Sequence, residues 1–303
     1  MIWNPQIGID LGFITIHYYS LMFVIAFGLG WYITKYIFIR EGLSLEKLDT
    51  LFVWTVVATL VGARLGQVFF YDWDYFRNNL LEIFLPVKFQ PKFEFVGFRG
   101  LASHGAAIAI IVTMYFYSKK IIQKPILWIL DRVVIPVASG AIFVRIGNFF
   151  NSEIYGHITS KDSFLATKFL KEDEFWKQHN VFELSGLKEY DSALNSVINN
   201  PKNAALLEQI PYRFPTQLYE SICYIFVFAV LFFLYWKTDA RKKQGFIFGM
   251  FLILLWTVRF FVEFLKESQG GFGDATALST GQWLSIPFIL SGFYFVLKAK
   301  KIE

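Results

Sequence analysis

The residues best able to do chemistry in this chain sit in or beside strongly apolar runs: Arg64, Arg145 and Arg259, one histidine, His104, and the carboxylates Glu153 and Glu263. A guanidinium presents a planar fork of donors that matches a phosphate, and such bonds strengthen when water is excluded. A histidine takes up protons near neutral pH. Together these types suit proton removal from a nucleophile and stabilisation of a phosphate leaving group. The sequence has no His/Asp/Glu cluster at metal-ligand spacing. It also has no Gly-x-Ser-x-Gly elbow or Ser/His/Asp trio, so a covalent serine route is set aside. No metal and no cofactor are expected.

The densest stretch is Arg145-Ile-Gly-Asn-Phe-Phe-Asn-Ser-Glu-Ile-Tyr-Gly156, which closes an apolar run from Val133 to Val144. Lipid does not tolerate such groups unless they are paired, wetted or used. Each residue also has a plain structural reading. Arg259 and Glu263 share a helix face and are spaced to neutralise each other. Arg64 lies in Gly62-Ala63-Arg64-Leu65-Gly66, where glycines suit close helix packing and an arginine can snorkel. His104, before Gly105, fits a satisfied core histidine, and Pro215-Thr216-Gln217-Leu218-Tyr219-Glu220 fits an ordinary helix start.

The elements that hold these residues are membrane spans. Hydrophobic residues make up 55% of the chain and charged ones 17%, which places it among multi-span membrane proteins. About seven apolar windows are long enough to cross a bilayer. They run over 18–39, 51–70, 100–117, 127–150, 216–236, 246–265 and 281–297. The expected fold is all-α and polytopic, with spans one to four in 1–156, a small extracytoplasmic (periplasmic) head in 157–213, and spans five to seven in 214–303. Residues 71–99 read as a loop with an interfacial segment over 80–98, too broken by Pro86 and Pro91 to span. Gln269 to Gly273 reads as a flexible Gly-rich loop. The lone Cys223 lies in an apolar run and excludes a disulfide framework.

The net charge of +5 is no argument for nucleic acid, because the basic residues cluster in short loops after spans one, three and five and in the tail. Those segments should be cytoplasmic, which puts the N-terminus outside and the C-terminus inside. On that topology Tyr19, Arg64, His104, Arg145, Asn148, Glu153, Tyr219, Glu220, Arg259 and Glu263 all fall within roughly two helical turns of the outer interface. The inner halves of the spans read as plain apolar. A convergent outer pocket for an anion, with a phospholipid headgroup as the most available ligand, accounts for this one-sidedness. A transporter or channel for an anionic lipid or solute is the rival, and a scaffold that anchors headgroups a third class.

The dodecapeptide resembles the signature of the prolipoprotein diacylglyceryl transferase family, Gly-Arg-x-Gly-Asn-Phe-x-Asn-x-Glu-x-x-Gly. Tyr18-Tyr19-Ser20-Leu21-Met22, Gly62 to Gly66, Ser103-His104-Gly105, Pro215 to Glu220 and Arg259-Phe260-Phe261-Val262-Glu263 follow the family order, while 157–213 does not match. Val144 and Ala106 replace glycines of the family pattern. The resemblance implies a bacterial inner-membrane transferase. It would move the diacylglyceryl group of phosphatidylglycerol to the lipobox cysteine of a prolipoprotein signal peptide, forming a thioether and releasing sn-glycerol-1-phosphate. It implies His104 as thiol base and Arg145 and Arg259 as stabilisers of the leaving phosphate. Tyr19, Asn148, Asn151, Glu153 and Gly156 would shape the headgroup pocket, Glu263 would orient Arg259, and Arg64 and Tyr219 would assist. The implied partners are phosphatidylglycerol, prolipoproteins and membrane lipids.

Overall fold

The computed structural model describes all residues except 7, 13–14, 86, 90–92, 96–101, 268–277 and 302–303. Among the described residues seven helices are long and apolar enough to cross a membrane: Tyr18–Arg40, Leu45–Phe70, His104–Ile122, Ile126–Phe150, Thr216–Lys237, Phe246–Leu265 and Thr280–Lys298, called here the first to seventh spans. The expected spans are all present, with ends displaced by a few residues. The second begins a turn and a half early because Ser44 caps it, accepting from the Lys47 backbone N–H at 3.4 Å. The expected Gly-rich loop at 269–273, the start of the third span at Gly100, and Pro86 and Pro91 lie outside the described residues.

The chain forms two compact units. One comprises Trp31–Val133, and the other Met1–Gly30 with Val134–Glu303. In the first unit the second and third spans meet at glycine. A Cβ on Gly105 would stand 2.1 Å from the Gly62 carbonyl oxygen and 2.5 Å from the Gly66 Cα. Only a residue without a side chain allows this approach, the small-xxx-small device of membrane helices. Gly105→Ala is expected to cost about 2 kcal/mol or more through overpacking, read as a lower unfolding temperature in detergent. The 71–99 loop carries a 3-10 turn at Leu80–Ile83 and a two-residue pairing of Val87–Lys88 with Glu94–Phe95.

The expectation of plain apolar inner halves does not hold. Near the start of the fourth span, Asp131 and Arg132 are buried. Arg132 Nη2 lies 2.9 Å from Glu41 Oε1 and its guanidinium sits 3.9 Å over the Trp128 ring. Asp131 and Arg132 both stand inside the expected fourth span, 127–150, so the two charges were legible in the sequence itself.

In the second unit the sixth and seventh spans also cross at glycines. A Cβ on Gly249 would stand 2.8 Å from the Gly292 carbonyl oxygen, and the reverse is equally tight. Trp256 and Phe288 of the same two spans stack with ring centroids 4.2 Å apart. Ser279 and Gln282 form a capping box that starts the seventh span. Residues 157–213 carry short helices whose apolar faces meet around Trp176, Val181, Leu194, Val197 and Ile210. Strand Ile2–Trp3 pairs in parallel with Lys168–Phe169, and Trp3 Nε1 donates to the Phe149 carbonyl at 3.0 Å. The 157–213 segment is thus fastened to the end of the fourth span.

Candidate active site

The fourth span ends at Phe150 and the chain turns back on itself. Ser152 and Ile154 adopt left-handed backbone conformations, with φ of 53° and 58°. A β-branched residue pays heavily for that conformation. The surroundings hold it there. The Glu153 N–H donates to the Asn148 carbonyl at 3.1 Å, Thr216 Oγ1 donates to the Ile154 carbonyl at 2.8 Å, and Gln217 Nε2 donates to the Glu153 carbonyl at 2.6 Å. The result aims the Glu153 side chain back at the helix it has just left.

A continuous polar network follows. Asn148 Nδ2 donates to Glu153 Oε1 at 2.7 Å, and Asn148 Oδ1 accepts from Arg145 Nη1 at 3.2 Å. The Tyr19 hydroxyl lies in electrostatic reach of Glu153 and Arg145, beside Asn148. Its ring packs where a Cβ on Gly147 would be, 2.9 Å from the Cδ2 atom. Arg145 Nε lies 2.7 Å from Glu220 Oε2, and Lys266 Nζ lies 2.9 Å from Glu220 Oε1. Glu220 is fully buried between the two cations. An unpaired carboxylate at that depth would be intolerable, and two cationic partners offset its desolvation. The Arg145 contact is an ion pair without an aligned hydrogen bond, since Glu220 Oε2 accepts none.

Arg259 completes the cluster. Arg145 and Arg259 both act electrostatically on Tyr224 and on Lys266, so the structure gathers two guanidinium groups and one ammonium around one place. The local neutralisation of Arg259 by Glu263 that their spacing allows is not made. Glu263 Oε2 lies 3.3 Å from Lys266 Nζ instead. Its carboxylate occupies the space a side chain on Gly281 would need, with Oε1 2.2 Å from the notional Cβ. Among the described residues Arg259 has no carboxylate in ion-pair range, its buried Nε has no hydrogen-bond partner, and its guanidinium carbon lies 5.6 Å from the Trp256 ring centroid. A donor left unmet in a buried site is costly and awaits an acceptor.

Gly156 is the hinge pin. Its N–H donates to the Phe214 carbonyl at 2.8 Å, and it bridges to Lys266 in the backbone. A Cβ there would stand 2.3 Å from the Leu265 carbonyl oxygen. One residue beyond, a second buried cluster forms. Arg213 Nε lies 2.6 Å from Glu172 Oε2, Nη2 2.9 Å from Glu174, and Nη1 2.9 Å from Glu267. The guanidinium sits 4.7 Å over the Tyr155 ring. Burial pushes the Tyr155 hydroxyl up to about 12, so the ring stays neutral beneath the cation.

Two other expected site residues of this unit, Asn151 and Tyr219, stand apart from this network. The Asn151 side chain is exposed, because the helix has ended before it. Tyr219 points to the 157–213 segment, stacking on Phe164 and donating to its carbonyl. Arg64 and His104 belong to the other unit. Arg64 is buried and donates to the Ile83 and Glu82 carbonyls at 2.8 and 2.7 Å, so it ties the second span to the loop that follows. His104 is exposed in the first turn of the third span. Two members of the cluster, Tyr224 and Lys266, were not among the expected residues, and Glu220 was expected at the pocket's depth but given no role. Tyr224 lies one turn after Glu220 and Lys266 two turns after Arg259, a spacing that puts each on the same face as a polar neighbour.

A model of the prolipoprotein diacylglyceryl transferase family matches residues 6–298. The phosphatidylglycerol–prolipoprotein diacylglyceryl transferase of Bacteroides fragilis is 34% identical over 297 residues, covering 97% of this chain and 93% of that protein. Its counterpart in Chloroherpeton thalassium is 34% identical over 292 residues, 96% and 91% of the two chains. That of Porphyromonas gingivalis is 35% identical over 290 residues, 94% and 89%. With the arginine cluster, the glycine contacts and seven membrane-length helices in place beneath it, this end-to-end match shows that the chain belongs to the prolipoprotein diacylglyceryl transferase family.

Proposed function

We propose that Arg145 and Arg259 together hold the phosphate of one phosphatidylglycerol molecule while its diacylglyceryl group passes to a prolipoprotein cysteine. The observation that carries this reading is the state of Arg259: a guanidinium in a polar cluster with no carboxylate within ion-pair range among the described residues and a buried donor unmet. In the reaction the cysteine sulfur forms a bond to the glyceryl carbon of the lipid. The bond between that carbon and the phosphate oxygen breaks, its electron pair stays on the oxygen, and sn-glycerol-1-phosphate leaves. The developing phosphate charge is what two preorganised guanidinium groups stabilise. Tyr19, Asn148 and Glu153 set the geometry of Arg145, while Gly156 fixes the loop against Lys266. Asn151, Tyr219, Glu263 and Arg64 have supporting roles.

The thiol must lose its proton, and His104 takes it. A lipobox cysteine in the signal peptide is the nucleophile, and the protein works in the bacterial inner membrane among its lipids. The N-terminus and residues 157–213 face outward and the C-terminus faces the cytoplasm. The support is the placement of basic residues at Arg40 and Lys47, at Lys119, Lys120 and Lys124, at Lys237 and Arg241 to Lys243, and at Lys298 to Lys301.

Purified protein in detergent is expected to convert a lipobox peptide and phosphatidylglycerol to thioether-linked product. Lipid or anion flux in vesicles with no peptide product would contradict the transferase reading in favour of a transporter. His104→Gln is expected to lower kcat by about 10²-fold at neutral pH. Its rate should recover as pH rises through about 8.5, where a free thiol ionises unaided. A variant with full activity and the wild-type pH profile would move the proton acceptor elsewhere.

A further inference from the structure

The sixth span poses a problem that its own helix geometry would answer badly. Arg259 and Glu263 are one turn apart, the spacing at which opposite charges pair. An Arg259 neutralised in this way would have little left for an anionic ligand. In the structure Glu263 is drawn to Lys266, one turn further on, at 3.3 Å. The same ammonium takes Oε1 of Glu220 at 2.9 Å, while Arg145 keeps Oε2. Lys266 is 7% exposed and follows directly on the last turn of the sixth span. Its backbone bridges to Gly156, which fixes where the side chain begins.

We propose that Lys266 is a positioning residue for the transfer reaction: by holding the carboxylates of Glu263 and Glu220, it keeps Arg259 without a carboxylate partner among the described residues and leaves Arg145 paired with Glu220, so that both guanidinium groups are available to the lipid phosphate. The ammonium is a compact point charge able to satisfy two carboxylates at once. Its removal leaves Glu263 with an arginine one turn away as the nearest cation on its own helix face. The guanidinium that should meet the phosphate then meets a carboxylate instead. This inference rests on the reading of Arg145 and Arg259 as phosphate ligands.

Steady-state kinetics with phosphatidylglycerol vesicles in detergent and a lipobox peptide test it, with thermal unfolding measured in parallel. Lys266→Met is expected to raise KM for phosphatidylglycerol by about ten-fold or more with a smaller change in kcat. Lys266→Arg, which keeps the charge, should stay within a few-fold of wild type. The decisive variant is Lys266→Met with Glu263→Gln, which removes the competing carboxylate and should lower KM again relative to Lys266→Met alone. A residue that merely holds the fold together would show no such recovery, because the second substitution deletes a further polar partner. If Lys266→Met does not accumulate as folded protein, Lys266→Gln is read in its place. A wild-type KM in Lys266→Gln, or a double variant no better than the single one, overturns the proposal. Either result leaves the roles of Arg145 and Arg259 standing if Arg259→Ala is still inactive. Activity retained in Arg259→Ala would sink the underlying reading itself.

Discussion

Arg145→Ala and Arg259→Ala are each expected to lower kcat/KM for diacylglyceryl transfer by about 10³-fold, the scale seen when a preorganised cationic donor to a developing phosphate charge is lost. The two should differ in stability. Arg145 is one of two cations on the fully buried Glu220, so its loss leaves that carboxylate with Lys266 alone. Arg259 has no carboxylate partner in ion-pair range among the described residues. Arg259→Ala should therefore be inactive yet unfold near the wild-type temperature, whereas Arg145→Ala should be inactive and less stable. Transfer assays and thermal unfolding on the same preparations check both statements. An Arg259→Ala protein that is active but unstable would mean that this residue is structural.

Gly156→Ala is the second large effect. The new methyl would lie 2.3 Å from the Leu265 carbonyl oxygen, 2.8 Å from Phe214 Cβ and 2.9 Å from Thr216 Cγ2. Ordinary contact requires about 1 Å more than the first of these, and a backbone carbonyl cannot swing aside as a side chain can. The loop carrying Glu153 must then separate from the segment carrying Lys266. A displacement of about 1 Å in a catalytic arrangement costs on the order of 10²-fold in rate. Transfer assays should show at least that loss, with the unfolding temperature also lowered. Wild-type turnover in Gly156→Ala would show that the bridge to Lys266 does not matter to catalysis.

The spans were legible because a bilayer demands long apolar stretches and the charges between them are unambiguous. Arg145, Asn148 and Glu153 were legible for a similar reason: polar groups at the end of an apolar run need partners, and they find one another locally. Harder to read were the partners brought from other spans. Glu220 looks like one more residue of a helix start until the fold sets Arg145 and Lys266 beside it. The Arg259–Glu263 spacing invited a local pair, and a lysine one turn on together with a glycine at 281 decided otherwise. Tyr219 and Asn151 were expected in the pocket from their neighbourhood in sequence, but a helix turns successive side chains by 100°, so Tyr219 faces away from buried Glu220, and Asn151 lies just past the end of its helix. Arg64 reaches carbonyls of an irregular loop, which no periodicity announces.

The central claim is that two guanidinium groups from different spans share one lipid phosphate. A structure of the protein with phosphatidylglycerol bound tests it most directly. Phosphate oxygens should lie within about 3 Å of donors from both Arg145 and Arg259, with Glu263 still on Lys266. A lipid phosphate bound away from either arginine, or an Arg259 closed onto Glu263 with the lipid in place, would contradict it.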